Sequence, residues 1–492
     1  MNDAKESSAN KWNSFSYVAI SIVNFLVFTL AFKIFDPVLV GFYVLLNSIF
    51  FLGGNLDLGF GISTIKLIAD ANRKNDKQFI KEYFYTYFFA YLFLTIVVLT
   101  LQYFYFTFFI RGLISSNIEV QTANYIYALM CANFVFTFLY SYLRSFLEGL
   151  FYYVFIAKVL LFLNLILLIT SFIIVLLFED FLLFVGVSLI ISATIFIFYL
   201  QKVYQNLGSF FKFRYLKFDL IKDNIKYSTK LQVSFFIGNS IDYLIKYLVT
   251  IFLSLGFVAI YESGKKFTTF INGFIYSNQK VLLVKLSDLN GKNKISESLV
   301  GDLFKYSNLS VRFVFLFYAV LNPGICVFLN YWFGNINTSI VFLLLALPQT
   351  FICFLISLYN VIIIEGKGMF LVIIQTLNVV LISGLTILWF VLFESYWGLI
   401  GYYLATILTT IIIFYYFRKF HDLSIIKFLK NAKFPKVILL NVMIFVEVIL
   451  ISKDLNFLII MAVFQIVYLV LYYQETVSLI LKFSQSILKI KK

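Results

Sequence analysis

The residues best suited to chemistry in this chain are a few charged side chains set inside otherwise apolar sequence. Asp242 and Lys246 stand four apart, as do Glu262 and Lys266, so each pair shares one face of a helix, and Lys265 adds a fifth charge. Arg312 lies well inside an apolar run, with Asn308 and Ser310 nearby and no acidic residue within four positions. At 1.5 Å per residue it sits about 14 Å deep in its helix. An ionisable group in a bilayer interior costs several kcal/mol unless it is paired or hydrated, so each of these is a functional candidate.

Two kinds of chemistry suit them. Lys246, Lys265 and Lys266 against Asp242 and Glu262 leave a surplus positive charge, which fits a wall that receives a diphosphate or acidic sugars. Arg312 is the natural bidentate partner of a phosphate. Asp242, Glu262 and Asp57, the last between Asn55 and Gly59, are candidates for taking up a coupling proton or sodium ion, or for gating. The plainer reading of the two i,i+4 pairs is internal salt bridging that pins two helices together. At the opposite end of the spans, Arg144 with Glu148, Lys158 and Lys66 either snorkel to headgroups or form the mouth that first meets the substrate. Glu447 has no role assigned from sequence.

Other chemistries find no material. The single histidine, His421, lies in a basic loop, so no histidine-based metal site or nucleophile–base pair can be assembled, and no metal or cofactor is expected. Cys131, Cys326 and Cys353 fall in apolar spans without metal-type spacing and read as small core residues.

The elements that must hold these charges are membrane helices. Of 492 residues 62% are hydrophobic and only 13% charged, against about 25% charged in soluble domains. The apolar residues come in blocks of about twenty, the length needed to cross a bilayer core. The fold class is therefore all-α, a polytopic membrane protein of about 14 transmembrane helices. Spans are expected near 14–35, 38–64, 83–109, 121–145, 152–178 and 182–201, then 229–253, 257–283, 303–329, 338–364, 368–393 and 396–417, with a final pair near 436–452 and 455–474.

Basic residues are retained on the cytoplasmic side. With the N-terminus inside, inner segments hold 32 of the 39 Lys and Arg residues, whereas outer connections hold only Lys33, Arg111 and Lys453. Both termini are therefore expected in the cytoplasm. The net charge of +15 becomes a topology signal, aided by anionic headgroups, rather than a sign of nucleic-acid binding. The polar segment Met1 to Lys11 precedes a span without a small-residue cleavage site and does not read as a cleaved signal.

An internal repeat organises the spans. Asp70-Ala-Asn72-Arg-Lys74-Asn75 matches Asp288-Leu-Asn290-Gly-Lys292-Asn293, and Tyr43 matches Tyr261 at the same offset. Glu148-Gly149 matches Glu365-Gly366, and Leu176-Leu177-Phe178-Glu179 with Gly186 matches Val391-Leu392-Phe393-Glu394 with Gly401. Each copy contains six spans, an even number, so both enter the membrane in one orientation, related by a pseudo-two-fold along the membrane normal. The expected organisation is an N-terminal six-helix lobe over 1–201, a basic cytoplasmic linker over 202–227, a second six-helix lobe over 228–418, and 419–492 as a loop, two extra helices and a basic tail. Two such lobes can rock about a central cavity, which is transporter architecture.

Phe35-Asp36-Pro37-x-x-x-Gly41-x-Tyr43, between the first two spans, and Leu56-Asp57-Leu58-Gly59-Phe60-Gly61 late in the second resemble signatures of a known family. It is the polysaccharide-exporter branch of the multidrug/oligosaccharidyl-lipid/polysaccharide (MOP) exporter superfamily, and within it the O-antigen and related oligosaccharide flippases. The resemblance implies two lobes of six helices around a central cavity. It also implies a flippase that moves an undecaprenyl-diphosphate-linked oligosaccharide to the outer leaflet of the bacterial inner membrane by alternating access, for O-antigen, capsule or exopolysaccharide synthesis. Coupling to H+ or Na+, contact with membrane lipids, and work beside the polymerase and glycosyltransferases of the same pathway would follow.

Three alternatives stand beside it. A cation-coupled drug or metabolite antiporter of the same superfamily would have a mainly acidic or aromatic cavity, whereas the membrane charges here have a cationic excess. A glycosyltransferase or polysaccharide polymerase would need a substantial outer loop with catalytic groups, but the longest outer connection, near 109–120, offers only Arg111 and Glu119. The chain is therefore read as no enzyme. Major facilitators also have two six-helix lobes and an acidic-then-basic loop after the second span, but the glycines of that loop are absent here.

Overall fold

The computed structural model describes residues 3–54, 60–114, 118–208, 215–217, 219–269, 271, 297–364, 368–421 and 434–453. Regular structure among them is entirely helical, as expected of a chain whose backbone must satisfy its own hydrogen bonds in lipid. In chain order the helices are α1 (Asp3–Ile34), α2 (Pro37–Gly54), α3 (Phe60–Arg73), α4 (Lys77–Tyr105), α5 (Val120–Gly149), α6 (Tyr153–Leu177), α7 (Phe181–Leu207), α8 (Asp219–Phe252) and α9 (255–269). They continue as α10 (Glu297–Phe333), α11 (Ile336–Ile364), α12 (Gly368–Phe393), α13 (Ile400–His421) and α14 (Phe434–Lys453). Each of the first thirteen expected spans meets a described helix; the fourteenth, 455–474, lies outside the described residues.

Eight of these helical stretches are long and apolar enough to cross a membrane, among them Lys77–Ile110, Val120–Gly149, Tyr153–Leu177 and Phe181–Leu207. Their outward faces carry large apolar side chains that water would not tolerate in such number, including Phe93, Ile96, Phe108, Phe162 and Leu177. The chain is a multi-pass membrane protein.

Helix boundaries follow local chemistry. Asp36 accepts the Val38 N–H through Oδ1 at 2.9 Å, and Pro37 opens α2, where a missing N–H costs nothing. Asp76 caps α4 through the Phe79 N–H at 3.0 Å, and Asp180 caps α7 through the N–H groups of Leu182 and Leu183. Gly208 ends α7 in the left-handed region, at φ 70°.

The helices fall into two units, Met1–Ala259 and Ile260–Lys492. In the first, α5 packs on α7 and α3, α1 on α6, and α2 on α8. Helix α8, the seventh span, thus belongs to the first unit. An aromatic column on α4 fills its core: Tyr83, Tyr87 and Tyr91 recur every four residues, Tyr83 stacks on Tyr87 at 4.2 Å, and Tyr91 meets Tyr142 of α5 at 4.8 Å. The hydroxyls are hydrogen-bonded, Tyr142 to the Phe84 carbonyl at 2.9 Å and Tyr83 with Thr64 at 3.1 Å. Burying tyrosine without such partners would be costly.

In the second unit α10 packs on α11, α12 on α13, and α14 on both α11 and α10. Though α14 lies beyond the repeated sixes, it is held by buried polar contacts. Asn441 Nδ2 donates to Thr350 Oγ1 at 2.8 Å, and Asn322 Nδ2 donates to Glu447 Oε2 at 2.8 Å.

Two positions matched in the expected repeat share a backbone conformation. Glu179 follows α6 at φ 48°, and Glu394, its match, follows α12 at φ 45°. Left-handed backbone is unusual for glutamate, and both residues stand just past a helix end. The matched segments 288–293 and 365–366 lie outside the described residues.

Candidate functional site

The charges expected within spans divide between the units. In the first, Lys246 of α8 is only 4% exposed. Its ammonium meets Asp242 Oδ2 at 3.0 Å and donates to Ser48 Oγ of α2 at 2.8 Å, while Ser48 donates in turn to the Val44 carbonyl at 3.0 Å. One turn on, Thr250 Oγ1 donates to the Lys246 carbonyl at 2.9 Å. Beside this chain the hydroxyls of Tyr105 and Tyr243 hydrogen-bond, tying α4 to α8. The expected i,i+4 pair is thus formed, and its lysine is engaged by a second helix.

A Cβ on Gly41 of α2 would overlap the Leu255 carbonyl group, so only glycine lets the backbones meet there. Tyr43, two residues on, packs edge-on against Phe181 of α7. The Phe35-to-Tyr43 stretch therefore acts through a helix cap, a proline start and a glycine contact rather than through direct chemistry.

In the second unit Lys266 meets Glu262 at 3.1 Å, with Glu262 buried and Lys266 partly exposed. Lys265 is likewise partly exposed. Gly264 sits inside this charged turn, and a Cβ there would stand 2.9 Å from the Phe342 backbone, so α9 lies hard against α11. Arg312 of α10 is partly buried, and among the described residues its guanidinium holds only Asn308 Oδ1, at 3.1 Å from Nε. An arginine has five N–H donors, so most of its capacity is unspent.

At the opposite end of the first unit, Arg144 closes on Glu148 at 2.8 Å. Gly149 brings α5 against Ile68 of α3. Lys158 and Lys66 are exposed. Other cations here rest on protein: Arg73 lies 6.0 Å from the Phe151 ring, Lys202 4.9 Å from the Tyr152 ring, and Lys217 pairs with Glu82 at 2.7 Å. The Lys217 strap includes its N–H to Thr86 Oγ1 at 2.9 Å and stacking of Tyr215 on Tyr85. Asp57 lies outside the described residues.

Glu447 is a buried carboxylate whose partner, Asn322, is 125 residues away in sequence, so spacing did not reveal it. Its sequence signal was a lone acid in an apolar span. Among the described residues there is no group of three or more His, Cys, Asp or Glu that could hold a metal ion. Cys131 and Cys326 are free thiols, and Cys326 is buried.

No protein-family model matches the chain, and no curated protein sequence does. Solved structures do. The lipid II flippase MurJ in its inward closed conformation aligns at a TM-score of 0.65 and 13% identity, covering 94% of this chain and 99% of that one. An inward-facing multidrug resistance MATE transporter of the MOP superfamily aligns at 0.65 and 14%, covering 84% and 96%. The Vibrio cholerae MATE transporter VcmN in its bent form aligns at 0.55 and 13%, covering 85% and 97%. The chain has the fold shared by these flippases and transporters.

Proposed function

We propose that this chain is a flippase that carries an undecaprenyl-diphosphate-linked oligosaccharide from the cytoplasmic to the outer leaflet of a bacterial inner membrane, by alternating access of two helical lobes. The observation that carries the reading is Arg312, an arginine inside the ninth expected span whose only partner among the described residues is a neutral amide oxygen. A diphosphate would complete its hydrogen bonds in bidentate fashion. The partly exposed Lys265 and Lys266 supply further positive charge in the same unit. The fold, common over nearly the whole length with a lipid II flippase, supports a lipid-linked substrate.

In this reading the diphosphate rests on basic side chains while the lipid tail stays in the bilayer. Lys246 plays a different part: its ammonium is engaged by Asp242 and Ser48, so it holds α8 to α2. Arg144, Lys158 and Lys66 would attract the headgroup at the cytoplasmic face. The same fold also serves multidrug MATE transporters, but the surplus of cations over acids in the spans favours an anionic cargo over a cationic drug.

The test is surface glycan display in the native host, with protein level followed by immunoblot. Arg312→Ala and Lys266→Ala should abolish display at unchanged protein level, and Arg312→Lys should restore it only in part. Normal glycan in both alanine variants would sink the reading.

A further inference from the structure

We propose that Glu447 of α14 and Asn322 of α10 form a proton-binding site that joins the two helices. Asn322 is fully buried and Glu447 is 5% exposed. The amide Nδ2 donates to Glu447 Oε2 at 2.8 Å, the arrangement that suits an ionised carboxylate. The other half of the amide is unspent: among the described residues Asn322 Oδ1 is buried with no hydrogen-bond partner.

That unspent acceptor is what a second protonation state requires. When Glu447 takes up a proton it gains an O–H donor, and a half-turn of the Asn322 amide presents Oδ1 to receive it. One pair thereby serves both states, with the proton carried on a Glu447 oxygen and hydrogen-bonded to Oδ1. An orphaned buried oxygen is otherwise costly to keep.

The surroundings favour a proton over a larger ion. Among the described residues, helix α14, which carries Glu447, packs on α11 and α10. Helix α11 contains no charged residue, and its stretch from Ile340 to Leu347 is wholly apolar and buried. On α10 the neighbouring titratable groups are Tyr318 and Cys326, one turn to either side of Asn322 and both fully buried. The nearest basic residues along these helices, Lys453 and Lys436 on α14 and Arg312 on α10, are each more than one turn from the pair. Burying a carboxylate charge in such a setting is expensive, and a proton removes the charge without needing a full coordination shell.

The location gives the site a mechanical consequence. Pro323 follows Asn322 inside α10, where it lacks an N–H and strips the Ala319 carbonyl of its helical donor. The Glu447 contact therefore grips α10 at its least self-supported point. Proton uptake exchanges the atom through which it grips.

The proposal does not depend on what the protein carries, and its readout is spectroscopic. Full-length protein in liposomes is titrated by infrared difference spectroscopy in H2O and D2O, with thermal unfolding followed in parallel. A protonated-carboxyl C=O band that titrates with pH should be lost in Glu447→Gln, and its midpoint should move by about one pH unit, a tenfold change in proton affinity, in Asn322→Leu. Survival of every titrating band in Glu447→Gln, or an unmoved midpoint in Asn322→Leu, would overturn it. A midpoint that shifts when Na+ replaces K+ would also overturn it, by making this a cation site. Should Glu447→Gln not accumulate, the Asn322→Leu midpoint decides alone.

Discussion

An ammonium group drawn out of water must have its donors taken up, and Lys246 shows how little of that can be supplied locally. Asp242, one turn away, provides one acceptor, and Ser48 on a distant stretch of chain provides another. The i,i+4 spacing made the first contact legible from sequence, as it did for Glu262 with Lys266 and Arg144 with Glu148. The second was not legible, because it exists only once α2 lies on α8. Breaking a buried pair by removing one partner is far worse than removing both. Lys246→Ala should therefore lower stability by about 2 kcal/mol, less than the usual loss for a fully buried pair because Asp242 keeps partial exposure. Asp242→Ala in the same chain should recover part of that loss. A double-mutant cycle on thermal unfolding in detergent checks it, and strict additivity of the two losses would refute the coupling. The half-exposed Arg144–Glu148 pair should show a coupling of only about 0.3–0.5 kcal/mol.

Among the helices, most of the plan could be read from apolar blocks between charged breaks, because length and hydrophobicity are what a bilayer selects. Helix ends and contacts were less readable. Helices α8 and α10 begin ten and six residues before the expected spans at 229 and 303, since a helix need not stop where hydrocarbon does. The small residues that decide contacts look alike in sequence but differ in place. Gly41 faces the Leu255 carbonyl, whereas a methyl group added at Gly186 would meet nothing within 4 Å. Gly41→Val should cost about 2–3 kcal/mol through backbone overlap, and Gly186→Ala should gain about 0.5 kcal/mol by helix propensity. Equal melting temperatures for the two variants would contradict the close approach. The repeated glutamates make a further prediction. At φ 48° and 45°, Glu179 and Glu394 hold a conformation that glycine adopts freely, so Glu179→Gly and Glu394→Gly should each raise stability by up to about 1 kcal/mol. A loss in either variant would mean that the carboxylate itself is needed there.

At the scale of the whole molecule, the chain shares its fold with proteins only 13–14% identical to it, because that fold asks for helices of a given length and face more than for particular residues. What such a fold leaves open is orientation, and that rests on charge. Inner segments are assigned 32 basic residues and outer connections three, and each basic residue beside an anionic cytoplasmic leaflet contributes about 1 kcal/mol. The bias therefore far exceeds thermal energy and should fix a single topology with both termini inside. Single cysteines placed in a chain lacking Cys131, Cys326 and Cys353 would report it. Glu119→Cys and Asn335→Cys, between α4 and α5 and between α10 and α11, should react with a membrane-impermeant maleimide on intact cells. Asn75→Cys and Asn206→Cys, between α3 and α4 and near the end of α7, should react only after permeabilisation. The reverse pattern would invert the topology and turn the exposed Lys66 and Lys158 toward the outer face, leaving the cytoplasmic leaflet without the basic mouth that the proposed direction of transport requires.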